Sequence, residues 1–208
     1  MTQITLSFNE VLSSARKAAV GAGLPYGVAE DIGMAAAWLS ARGVDGIAAT
    51  VQALETVDPR GRRNVADAVA TRAAVEGVAA IDALCAGETA KTIVLGRVDA
   101  PALLAGLAGV AATNLGLAIH MTLPGGQTLF LPYATDLQAT IGDGRNIDIS
   151  LTCRGETGHA PPDEDIPARP HGCDEIAYRT AMQLAARGYV PASESSRAGA
   201  GTSKSDND

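Results

Sequence analysis

Leu117-Ala118-Ile119-His120-Met121-Thr122-Leu123, then Pro124-Gly125-Gly126-Gln127, then Thr128-Leu129-Phe130-Leu131-Pro132-Tyr133 is the stretch on which the fold turns. Two apolar, strand-prone runs flank a glycine turn, the pattern of a β-hairpin over 117–133. Residues 147–153 follow as Ile-Asp-Ile-Ser-Leu-Thr-Cys, a period-two alternation that predicts a half-buried strand. The N-terminal part reads as helix instead. Ser7 and Glu10 form a capping box opening a helix to about Val20, with Phe8, Val11, Leu12 and Ala15 at helical spacing and Gly21 and Gly23 to stop it. A second helix starts near Pro25 and Tyr26, buries Ile32, Ala35, Ala36 and Leu39, and ends at Gly43. Asp45 caps a third, running to about Val57. Residues 58–64 (DPRGRRN) are a polar break, and 65–87 return to an alanine-rich helix. Further on, 92–98 (TIVLGRV) predict a short buried strand, 102–114 a helix, and 155–172 a loop with four prolines. Residues 174–186 predict an amphipathic helix with Ile176, Met182 and Leu184 among its apolar positions.

Helices first and strands later, without βαβ alternation, make the class α+β: N-terminal helices, a small, mostly antiparallel sheet, and a C-terminal helix with a glycine-rich tail. Residues 1–192 read as a single domain and 193–208 as a polar tail, folded back or frayed. The chain of 208 residues carries 16 Lys and Arg against 23 Asp and Glu, a net charge of −7. With 3% aromatic residues it lacks both the basic footprint and the stacking platform of a nucleic-acid binder. Trp38, Phe8, Phe130 and four tyrosines hold all the ring volume, so the core must close through Ala, Gly, Val and Leu. Cys85, Cys153 and Cys173 make an odd, small set that suits a reducing compartment and a cytoplasmic protein. Residues 1–7 carry no basic or apolar region of a secretory signal. The most apolar window, 102–119, is Ala- and Gly-rich, contains Thr113 and Asn114, and reads as a buried helix and not a membrane span.

Two stretches carry a resemblance. One runs Gly21-Ala22-Gly23-Leu24-Pro25-Tyr26-Gly27-Val28-Ala29-Glu30-Asp31 through Trp38-Leu39-Ser40-Ala41-Arg42-Gly43-Val44-Asp45-Gly46. The other runs Leu184-Ala185-Ala186-Arg187-Gly188-Tyr189-Val190-Pro191-Ala192-Ser193-Glu194-Ser195-Ser196-Arg197, followed by a Gly-Ala-Gly run and Asp206-Asn207-Asp208. Together they resemble a bacterial family catalogued as domain of unknown function 3726. The family name brings no reaction with it, but the resemblance implies that the tail matters. In that family a longer Gly-Ala repeat stands near the end, where this chain has Thr202-Ser203-Lys204-Ser205. The N-terminal block is also similar to the non-Rossmann malate/L-lactate dehydrogenase family, which shares a helix ending in Arg-Gly-hydrophobic-Asp. There a catalytic His follows as Ser-His; here Gly46 and Ile47 follow Asp45, so that proton-transfer residue is missing.

The tail is the first chemical candidate. Ser193, Ser196, Gly199 and Gly201 offer backbone N–H groups for an anion nest. Arg197 and Arg42 offer planar cations for a carboxylate or phosphate. Asn207 adds an amide, and Asp206 and Asp208 are the candidate catalytic acid/base groups. The plainer reading is a solubilising C-terminus. Cys153, Glu156, His159, His171 and Cys173 are zinc-binding residue types, but Cys-x5-His-x11-His-x-Cys matches no zinc spacing, so no metal is assigned. His120 reads as a strand residue of structural or surface role, Arg42 as a helix-end cation and Asp45 as a cap. Tyr26 and Trp38 fit either an apolar pocket or the core. The glycine runs lack G-x-G-x-x-G spacing, and no motif identifies a cofactor.

The leading expectation is a small cytosolic metabolic enzyme acting on an anionic small molecule. A partner subunit docking through the tail, and an NAD(P)-dependent oxidoreductase of non-Rossmann fold, are the alternatives. Nucleic acid and membrane are not expected as partners. The Ala/Gly-rich helix faces are compatible with a homodimer.

Overall fold

The computed structural model describes residues 2–57, 71–86, 91–134, 137–142, 144–156 and 170–188. Helices α1 (Phe8–Gly21), α2 (Tyr26–Ser40) and α3 (Gly46–Leu54) come first. A π-helical turn (Ala73–Gly77) then leads into α4 (Val78–Cys85). Strand β2 (Lys91–Val98) and helix α5 (Pro101–Leu115) follow, then β3 (Leu117–Thr122) and β4 (Thr128–Phe130). Helix α6 (Leu137–Ile141), strand β5 (Ile147–Glu156) and helix α7 (Glu175–Ala186) complete the main elements. Two short strands, β1 (Gln3–Ile4) and β6 (Cys173–Asp174), pair antiparallel and bring the start of the chain to the start of α7. This is the α+β class that the sequence predicts.

The capping box forms: Glu10 N–H donates to Ser7 Oγ (3.2 Å), and Ser7 N–H donates to Glu10 Oε2 (2.7 Å). Those bonds hold the Glu10 carboxyl below its usual pKa. Helix α5 is central, packing on β3 on one side and on α2 on another. In turn α2 packs on α1, and α1 on α7. Small residues make these approaches close. A Cβ on Gly46 would lie 2.0 Å from Ala36 O, and one on Gly21 would lie 1.9 Å from Leu184 O. Alanines fill the rest: Ala15, Ala18, Ala29, Ala35, Ala36 and Ala108 are fully buried.

The main sheet is antiparallel with order β2-β5-β3-β4. Its core face carries Leu95, Ile119, Met121, Ile149, Leu151 and Cys153, all buried. Its other face is a hydroxyl-rich surface in register. Thr92, Thr152, His120 and Phe130 form one row, and Val94, Ser150, Thr122 and Thr128 the next. Gly116, at φ 64°, ends α5 in the left-handed conformation that turns the chain into β3.

Several expectations shift. The run 92–98 is buried on one face alone: Leu95 and Val98 reach the core, but β2 is a sheet edge and Val94 is 73% exposed. The second arm of the hairpin stops at Phe130, because Leu131–Tyr133 coils into a 3₁₀ turn around Pro132. On α7 Ala181 and Ala185 are buried and Leu184 partly so, Ala185 lying where the helix passes close to Gly21, while Ile176 and Met182 are exposed. Of the predicted helix 65–87, residues 73–85 are helical, opening with the π turn; residues 65–70 and 87 lie outside the described residues. Among the described residues no helix is long and apolar enough to cross a membrane.

Candidate functional site

Ser193, Ser196, Arg197, Gly199, Gly201, Asp206, Asn207 and Asp208 lie outside the described residues, as does His159. Arg42 is described, and its geometry starts two helices away. Gly109 of α5 has no side chain, and the Trp38 ring of α2 occupies that space: a Cβ there would be 2.3 Å from a ring carbon. Trp38 Nε1–H donates to Thr113 Oγ1 (3.4 Å), which fixes the ring plane further. The Arg42 guanidinium lies over this ring, 3.9 Å from its centroid, and Nη1 donates to Trp38 O (3.4 Å). A half-buried Arg is thereby oriented by cation–π stacking at the end of α2. Trp38 takes the core role, whereas Tyr26 is exposed beneath Arg16.

Asp45 does what the sequence predicts of a cap and something more. Its Oδ1 accepts from Ala48 N–H (2.9 Å), and its Oδ2 accepts from Asp174 N–H (2.7 Å). Asp174 caps α7 in turn, accepting from Ile176 and Ala177 N–H. His171 N–H donates to Ser40 O (2.8 Å), closing the same corner. Burial, with Asp45 beside it, pushes the Cys173 thiol up to about 12, so it stays protonated and inert as a nucleophile. Cys153 and Cys173 belong to different sheets, and among the described residues no three His, Cys, Asp or Glu side chains gather as a metal site. His120 stacks on Phe130 with centroids 4.8 Å apart, and burial lowers its pKa, favouring the neutral ring.

Two features escaped the sequence reading. Asp99 is buried where β2 meets α5; its Oδ1 accepts from Ala73 N–H (2.8 Å) and its Oδ2 from the Thr56 hydroxyl. Gln52 Nε2 donates to both Asp99 O (2.9 Å) and Gly144 O (3.0 Å). These bonds tie the π turn to α3, so Asp99 is a structural acid, its pKa raised mainly by burial. The second is a pocket of about 230 Å³ where α2, α4 and α5 converge. Its walls include Met34, Val78, Ile81, Leu107 and Val110, and two acids, Asp31 and Asp82, line it with them. Asp31 follows Glu30 in the second turn of α2 and reads from sequence as a complement to the helix dipole; only the tertiary fold brings Asp82 near it.

No curated protein and no solved structure matches the chain. Residues 6–79, which hold α1, α2, α3 and Arg42, match the family described as Protein of unknown function (DUF3726), the family that the sequence resembles.

Proposed function

We propose that the chain is a small cytosolic metabolic enzyme that holds an anionic small molecule, a carboxylate or a phosphate, at the end of α2. The observation that carries this is Arg42, whose guanidinium is held over the Trp38 ring, 3.9 Å from its centroid, inside the segment that matches the family. A planar cation held in place loses little rotamer entropy on meeting a bidentate anion. In this reading the C-terminal segment completes the site against α2, residues 1–192 being one domain and 193–208 its closing tail. Ser193, Ser196, Gly199, Gly201, Asn207 and Arg197 supply donors, and Asp206 and Asp208 supply acid/base groups. Three free cysteines support the cytosolic setting.

The test is a thermal-shift panel of small di- and tricarboxylates, inorganic phosphate and phosphomonoesters. It is run on the full chain and on Arg42→Gln, Arg42→Lys and Arg197→Ala. At least one anion raises the melting temperature of the full chain, Arg42→Gln abolishes the rise, and Arg42→Lys retains part of it. A rise of equal size in Arg42→Gln, or no rise with any anion, overturns the proposal. Stabilisation only by a co-purifying protein favours a partner subunit instead.

A further inference from the structure

The pocket between α2, α4 and α5 has a chemistry of its own, separate from Arg42. Its space equals the share of roughly seven or eight water molecules, enough for a small organic group. Met34, Val78, Ile81, Leu107 and Val110 make its walls apolar, which favours a hydrocarbon body. Asp31 is half-buried and Asp82 is exposed, so one acid stands inside the mouth and the other stays wet.

Among the described residues neither side-chain carboxylate takes part in a hydrogen bond or an ion pair. Arg16 of α1, the helix that packs on α2, is directed elsewhere: it lies 3.9 Å from Glu30 and over the Tyr26 ring. Two like charges with no partner among the described residues, beside an apolar cavity, cost the free protein energy, which a bound cation would return. Burial first, and then the charges of Asp82 and Glu30, raise the Asp31 pKa. The remaining polar group in the lining is Asn114 of α5, whose amide oxygen can accept from an ammonium.

We propose that this pocket binds an organic cation, an alkylammonium whose charged head meets Asp31 and Asp82 and whose hydrocarbon tail lies along Met34 and Leu107. The complementarity selects against carboxylates, so this site takes a ligand of opposite sign to the one proposed at Arg42 and stands independently of it.

The experiment titrates the full chain calorimetrically at neutral pH with three probes of matched length: hexylammonium, 1-hexanol and hexanoate. Hexylammonium binds, the alcohol binds more weakly, and hexanoate does not bind. Asp31→Asn and Asp82→Asn each weaken hexylammonium by about tenfold, the size expected for one lost charge partner, and leave the alcohol unchanged. Both variants relieve repulsion and are expected to fold at least as stably as the parent, which a melting curve checks. Equal affinity for amine and alcohol, unaltered amine affinity in both variants, or no heat at millimolar amine overturns the proposal.

Discussion

Gly109→Ala is the substitution that probes how the Arg42 platform is built. On helix propensity alone, Gly to Ala in the interior of α5 stabilises by about 1 kcal/mol. The structure reverses that sign. The new Cβ would sit 2.3, 2.5 and 2.6 Å from three carbons of the Trp38 six-membered ring. Contacts between carbons belong at about 3.5–4.0 Å, so the ring must retreat by more than 1 Å. Trp38 is only 9% exposed, and little room receives it. Overpacking of this kind costs about 1–3 kcal/mol, and loss of the Nε1–Thr113 bond adds about 1 kcal/mol. The net is destabilisation by about 2 kcal/mol, or roughly 4–8 °C in Tm for a chain of this size. Circular-dichroism melts and urea titrations of the single and double variants provide the assay. Trp38→Phe shortens the ring, so the pair Gly109→Ala with Trp38→Phe loses less than the sum of the singles by about 1 kcal/mol. A Gly109→Ala protein stabilised by about 1 kcal/mol would mean the ring does not occupy that space, and would falsify the platform.

Three further outcomes follow from the described geometry. Asp45→Ala loses a helix cap and a charge-assisted bond from Asp174 N–H, and costs about 2–4 kcal/mol in chemical denaturation. Asp45→Asn, which keeps one acceptor oxygen, costs less, and either variant moves the Cys173 thiol below about 12 as the neighbouring charge is removed; alkylation rate against pH reads this directly. Burial, with Asp82 and Glu30 beside it, lifts the folded-state pKa of Asp31 above the ordinary aspartate value, so the folded state binds the proton more tightly and its charge opposes folding once pH exceeds the raised value. Asp31→Asn therefore raises stability at neutral pH by a few tenths of a kcal/mol, and the gain fades as pH falls through the raised value and is gone below the unfolded-state value. A gain that grows toward acid contradicts the assigned cause.

The local signals in the sequence were the most legible. Ser7 with Glu10, and Asp45, act within one helical turn, and each caps a helix where its spacing predicts one. The Pro-Gly-Gly-Gln turn works because Gly125 and Gly126 take φ of 89° and 86°. Sidedness was harder to read. TIVLGRV is continuously apolar at its start, a pattern that cannot separate a central strand from an edge strand, and β2 proved to be the edge. Ile176 and Met182 are apolar positions of α7, yet both are exposed, and Ala181 and Ala185 are the residues that it buries. For the sites, Arg42 and Asp45 were found because each stands at a helix boundary. Asp31, Asp82 and Asp99 were not: Asp99 meets Ala73 and Thr56, 26 and 43 residues away, and Asp31 and Asp82 stand far apart in the chain, so no local pattern marks them. The tail residues lie outside the described set, and their roles remain proposals.

The most direct test of the central claim is a native mass spectrum of the full chain, purified gently from its own host, beside the same preparation of Arg42→Gln. The account predicts a homomeric species that carries a small retained anion, released on activation and missing from the Arg42→Gln protein. A species that carries no small molecule but a stoichiometric second protein would contradict it, and would make the chain a partner subunit.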